Sequence, residues 1–309
     1  GVSRCELSNL GSGGVNMSGG GRASLTPCGH YVEDSHIHHF GRLLRTYQPA
    51  VRLGGVGCRM SHNLVHDAPH AAVLFGGNEH LIEFNEIHHV CQDTDDAGAI
   101  YSGRDWTTRG TVIRNNFFHH LAGGTHVGNQ GVYLDDMFCG TRVVNNVFYK
   151  MGRAIMIGGG RDNVVKNNIA VDCRVSIHID SRGLGWASYH VEEPDGTLPK
   201  RLKRVPYKDE PWRSRYPELV DILENNPGAP VGNVVERNLF VDCKTTELSS
   251  EAKELSTIQN NLSTDADVGF VDREGLDFRL QDDSLVFEKL PELEQIPLKE
   301  VGPRSGDSK

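Results

Sequence analysis

A single recurring column constrains this chain more than anything else in it. Ser35, Asn63, Asn85, Asn116, Asn146, Asn168, Asn238 and Asn261 recur at gaps of 28, 22, 31, 30, 22, 70 and 23 residues, and the first five are followed three positions later by His or Tyr. The gaps read as a 22-residue unit with loops of different length added. A fixed period this short implies a solenoid, in which each unit buries its apolar face only against its neighbours.

A second pattern within the unit names the kind of solenoid. Five-residue stretches such as Ala50–Gly54, Ala72–Gly76, Gly98–Ser102, Gly131–Asp135, Ala154–Gly158 and Ser176–Asp180 carry apolar residues at positions two and four. That is the period-2 alternation of a strand with one buried face. A second strand follows the register residue, with an apolar inward column of Ile37, Val65, Ile87, Phe118, Phe148, Ala170 and Phe240. The expectation is an all-β fold, a parallel β-helix whose columns become ladders about 4.8 Å per step. An amide side chain offers donors and acceptors together, so stacked Asn can bond one another and the turn backbone. The His38, His66, His88, His119 and Tyr149 column reads as a second structural ladder. Metal ligands must converge on a point and need an oriented outer shell, whereas this is a line, so no metal or other cofactor is expected.

Composition narrows the function. The chain has 309 residues and a net charge of −9, which argues against a nucleic-acid backbone as partner. No apolar run approaches the roughly 20 residues of a membrane span. No signal peptide is visible, and residues 1–20 already read as part of a coil, so a piece of a longer solenoid is expected. Seven cysteines form no C-x-x-C pair, and Cys173 and Cys243 share a column with Phe40, Ala68, Val90, Leu121 and Met151, as buried apolar residues would.

The repeat is broken on both edges of the patterned strand. Extra residues collect before the patterned strand at 41–49, 91–97 and 122–130, and behind it at 103–110 and 183–232. Loops on both edges of one sheet make a groove, and long loops on a rigid scaffold concentrate binding residues. The longest excursion carries Trp186, Tyr189, Tyr207, Trp212 and Tyr216, which predicts a packed lid, with one short helix over 217–225. Outward positions on the grooved sheet are read as Arg52, Leu74, Ile100, Tyr133, Met156 and His178. The strand ends carry Asp135, Asp136 and Asp180, and the loops add Asp93, Asp95, Asp96, Arg104, Asp105, Trp106, Arg109, His126, Arg153, Arg182 and Trp186. Carboxylates, guanidinium groups and tryptophan around an open groove are the materials of a carbohydrate site.

The stretches Asp96–Trp106, Gly131–Asp136, Gly158–Asn163 and His178–Trp186 together resemble right-handed parallel β-helix carbohydrate-active enzymes, most closely glycoside hydrolase family 141. The likeness covers roughly residues 30–245. It implies α-L-fucosidase or xylanase action on a plant polysaccharide, a secreted, periplasmic or cell-surface location, and two catalytic aspartates falling on Asp96 and on Asp135 or Asp136. Register makes the second firmer than the first, because Asp96 lies six positions before the Asp135 column, about 20 Å along a straight strand. The partner of Asp135 or Asp136 is Asp96, Asp105 or Asp180, in that order when the resemblance is weighed in.

The expected chemistry is hydrolysis by one aspartate as acid and another as nucleophile or base. Substrate binding is assigned to Arg104, Asp105, Trp106, His126, Tyr133, His178, Asp180, Arg182 and Trp186. Two rivals stand beside it, a lyase or epimerase acting on a uronate and a non-catalytic sugar-binding module. The chain is expected to act as a monomer on an oligo- or polysaccharide, with residues 1–245 forming the β-helix and 246–309 its last coil and a C-terminal cap or tail.

Overall fold

The computed structural model describes residues 1–121 and 128–304. Three parallel sheets of nine, nine and eight strands run the length of the molecule, and in each the strand order follows the chain. The fold is therefore a parallel β-helix. The first sheet begins each coil with strands such as Leu81–Glu83 and Val112–Arg114, the second continues with Glu86–His88 and Phe117–His119, and the third closes it with Gly98–Gly103 and Gln130–Asp135. Val32, Met60, Ile82, Ile113, Val143 and Val165 fill the core from the first sheet, and the column from Ile37 to Phe240 fills it from the second.

The Asn column turns the corner between these two sheets. At each step a backbone N–H donates to the amide oxygen of the next coil, from Ser35 to Asn63, Asn85, Asn116, Asn146, Asn168, Asn238 and Asn261, at 3.0 Å throughout. The residue before each amide is left-handed, with φ between 48° and 58°. Asn tolerates that conformation better than most residues, which accounts for the doublets Asn115-Asn116, Asn145-Asn146, Asn167-Asn168 and Asn260-Asn261. A second, shorter ladder lies where the chain enters the first sheet, with Thr141 and Asn163 donating to the amide oxygens of Asn163 and Asn233.

One register expectation fails. In the third sheet Ile100 pairs with Val73 and Val132, while Tyr101 pairs with Leu74 and Tyr133. The coil is one residue longer than the five-residue alignment assumed. A one-residue slip moves every side chain to the opposite face, so Ile100 is in the core and Tyr101 faces the groove.

The 182–232 excursion packs beside the third sheet as a wall. Trp106, Met137, Cys139, Leu198, Leu202, Trp212 and Leu219 form its own apolar cluster. Its helices span Thr197–Leu202 and Trp212–Arg215, and only the turn Pro217–Leu219 is helical in the expected 217–225 stretch. Trp212 and Tyr216 are buried, but Trp186 and Tyr189 stay 67% and 55% exposed, so the aromatics do not all serve packing.

The end of the chain lies along a flank of the second sheet. Phe270, Phe278, Val286, Leu290 and Ile296 lie on outward residues of the second sheet, among them Phe117, Tyr149, Val171 and Val241. Apart from His119, these outward positions are apolar in every coil from Phe117 to Val241, which gives the segment its seat. It then runs back along the solenoid until Arg304 pairs with Asp34.

Candidate functional site

The site grows from one strand end. Asp135 closes Gln130–Asp135 opposite Gly103, and the neighbouring coil places Gly158 in the same column. With period-2 alternation Tyr133 and Asp135 point to the same face. The flanking glycines leave space above the sheet. A Cβ on Gly103 would stand 3.1 Å from the Cβ of Asp135, and one on Gly158 would stand 2.6 Å from the guanidinium carbon of Arg182. Arg182 lies across that gap and reaches the carboxylate.

Asp135 is held from three sides. Arg182 Nη1 donates to its Oδ1 at 2.7 Å, the backbone N–H of Asp136 donates to the same oxygen at 2.8 Å, and the Tyr101 hydroxyl donates to Oδ2 at 2.9 Å. Burial raises its pKa and the adjacent Asp136 raises it further, against the opposing pull of Arg182 and the two tyrosines. Asp136 itself is 1% exposed, accepting from Arg182 Nη1 at 2.9 Å and paired with Arg104. Two guanidinium groups occupy it, and it anchors them more than it meets a substrate.

Asp180 behaves in the opposite way. Burial opposes its charge, but hydrogen bonds from His178 and Arg182 outweigh that and hold its pKa at about 2. Arg182 Nη2 donates to it at 2.8 Å, and His178 lies between it and Glu247, at 3.2 and 2.7 Å. Two carboxylates that share the Arg182 guanidinium are therefore driven in opposite directions, one toward the acid and one toward the anion. Oppositely driven carboxylates are an arrangement that acid–base chemistry can use.

The loop at 91–97 brings Asp96 into this group. Its ends are pinned by buried Cys91 and Ala97, its middle by the Arg45–Asp93 ion pair, and Asp96 adopts φ of 50°. Folding back removes the separation that a straight strand would impose, and the Tyr133 hydroxyl donates to Asp96 Oδ1 at 3.0 Å. Tyr133 stands two positions before Asp135 on the same face of its strand and also favours the charged form of that carboxylate.

Asp96, Arg104, Tyr133, Asp135, Asp136 and Arg182, with Arg153, Met156, His178, Asp180 and Trp186, line one open cleft of about 480 Å³. The guanidinium of Arg182 lies 5.5 Å from the ring centre of Trp186. Two expected site residues are elsewhere. Trp106 is fully buried in the wall's apolar cluster, and Asp105 accepts from the Thr107 N–H and hydroxyl at 2.9 and 2.6 Å, shaping the turn that seats Trp106. His126 lies outside the described residues. Tyr101 and Glu247 are functional neighbours that sequence reasoning missed. Ordering the third-sheet strands on Val73, Ile100, Val132, Ile155 and Ile177 exposes the first, and extending that sheet to Thr245–Leu248 exposes the second.

Among the described residues the clusters of potential metal ligands all lie away from this cleft. The family described as right handed beta helix region matches residues 49–190, which adds the hand of the coil: the fold is a right-handed parallel β-helix, one common among polysaccharide-active enzymes. No curated protein matches the chain.

Proposed function

We propose that the cleft hydrolyses a glycosidic bond in a neutral polysaccharide outside the cell, in the manner of glycoside hydrolase family 141 (fucosidase or xylanase type), with Asp135 as the acid and Asp96 as the second carboxylate. The observation that carries this reading is the buried Asp135, its pKa raised, lining one open groove with the exposed Asp96, which accepts from the Tyr133 hydroxyl. Asp135 protonates the leaving oxygen as the C–O bond breaks, and Asp96 attacks the anomeric carbon. Water then releases the sugar, giving its proton to Asp135. Arg182 and Tyr101 keep Asp135 aimed, and the exposed face of Trp186 supports a sugar ring.

The charge balance disfavours the uronate-lyase alternative. Arg104 pairs with Asp136, Arg153 with Glu247, and Arg182 with Asp135, Asp136 and Asp180. Elimination needs a cation to neutralise the uronate carboxylate, and each of these guanidinium groups already faces a carboxylate.

The test is a screen of plant cell-wall polysaccharides read for new reducing ends and for ultraviolet-absorbing unsaturated products. New reducing ends without unsaturation are expected, falling about 10²–10⁴-fold in Asp135→Asn and Asp96→Asn. Unsaturated products would establish elimination instead, and binding that survives both variants without turnover would establish a sugar-binding module.

A further inference from the structure

We propose that the outer face of the second sheet carries two zinc-type transition-metal sites, one of His36, His38 and His66 and the other of Glu86, His88 and His119.

The histidine ladder forms as its spacing suggests. His38, His66, His88 and His119 stack with ring centres 5.1, 4.6 and 4.6 Å apart. A line of rings makes no metal site, and what converts the line into points is the residue two positions earlier. It lies on the same face of the strand and is His36, Leu64, Glu86 and Phe117 in successive coils. On alternate coils it is a ligand, and there it joins the ladder histidines of its own coil and the next. Within each trio the candidate ligand atoms lie within 4.8 Å of one another. A tetrahedral zinc with Zn–N of about 2.0–2.1 Å needs them about 3.4 Å apart. Two separations are already within reach of that figure, His36 Nε2 to His66 Nε2 at 2.6 Å and His119 Nε2 to Glu86 Oε1 at 3.1 Å.

The outer shell is also built. His66 Nδ1 meets Asp67 Oδ2 at 2.7 Å, the carboxylate–imidazole arrangement that fixes the proton on Nδ1 and turns the Nε2 lone pair toward a metal. His38, His88 and His119 engage His39, His89 and His120 through Nδ1 at 2.7, 2.7 and 2.8 Å. Each partner is the left-handed residue ending the strand, with φ of 47° to 52°, so the turn itself folds the next side chain back onto the ladder ring. Three imidazoles, or two and a carboxylate, suit zinc, cobalt, nickel or copper, not calcium or magnesium. Each ion would tie two adjacent coils together at a point remote from the cleft.

A third trio, Cys28, His30 and Cys58, lies at another turn, so the experiment uses a Cys28→Ser background. The chain is stripped with chelator, equilibrated with micromolar zinc, desalted and assayed for metal per chain. Two ions are expected, with a rise in Tm. His66→Ala and His119→Ala should each lose one ion and lower affinity for it at least tenfold. His36→Gln, which leaves all four rings of the ladder in place, repeats the first result if His66→Ala fails to fold. Cobalt(II) should give visible d–d bands without a thiolate charge-transfer band. No retained ion, stoichiometry unchanged in all three variants, or a cobalt spectrum dominated by thiolate would overturn the proposal.

Discussion

Replacing Asn116 with alanine removes one rung from the middle of the amide ladder, and the structure sets the size of the loss. The Asn116 amide oxygen accepts from the Asn85 backbone N–H at 3.0 Å and from its amide at 2.9 Å, while its own amide donates to Ile82 O, Arg114 O and Asn146 Oδ1 at 3.0, 2.9 and 3.0 Å. Asn85 and Asn116 are fully buried, so water cannot replace these bonds. The Asn85 N–H is left unsatisfied at a cost of about 1–3 kcal/mol, and each carbonyl bond lost adds about 0.5–1.5 kcal/mol. The sum centres on about 4 kcal/mol. Asn261 makes the same kind of rung at the last coil, accepting from the Asn238 N–H at 3.0 Å, but it is half-buried. There solvent takes over the freed groups, and Asn261→Ala should cost about 1 kcal/mol. Urea denaturation followed by circular dichroism measures both. Equal losses in the two variants, or less than 1 kcal/mol at Asn116, would show that the ladder follows the fold instead of holding it.

Gly158→Ala should lower turnover at least tenfold by pushing the Arg182 guanidinium off Asp135, and should lower Tm because the same guanidinium is paired with Asp136 and Asp180; unchanged kinetics would remove Arg182 from the mechanism. Tyr101→Phe deletes one hydrogen bond that stabilises ionised Asp135, so the basic limb of the pH–rate profile should move upward, and an unmoved limb would count against Asp135 as the acid. Asp180 has its pKa depressed to about 2, so its charge contributes stability above the ordinary carboxylate range that disappears as pH falls from about 4 to about 2; the neutral-pH contribution is about 2 kcal/mol, and Asp180→Asn should flatten that part of a Tm-versus-pH curve. With Asp96 as the nucleophile, hydrolysis should retain anomeric configuration; an inverted product in a proton NMR time course would refute that role.

The failures of sequence reading at this site share a cause. Asp105 and Trp106 have the residue types of a sugar site, and the motif around them is the one that suggests it. Whether a tryptophan meets a sugar or a protein core depends on which way its turn rolls, and that is set by the wall formed by residues 182–232, distant in sequence. Tyr101 was hidden by a single extra residue in its coil, since alternation carries no information about its own phase. Asp96 looked too far from Asp135 because distance along a strand holds only while the chain stays extended.

The sequence by itself determined the architecture: the amide column, the alternating strands and the lengthened coils appear as a period, and a solenoid repeats in space whatever repeats in the chain. It also marked Asp135, Asp136 and Asp180, because these stand at strand ends of that repeat, and Arg182 in the loop that follows the last of them. Only the tertiary structure decided which acid is paired away and which is left protonatable. Burial and the number of guanidinium groups reaching each carboxylate are properties of how loops from different coils meet. Asp135 and Asp136 are adjacent in the chain, yet they differ because Arg104 reaches one and Tyr101 the other.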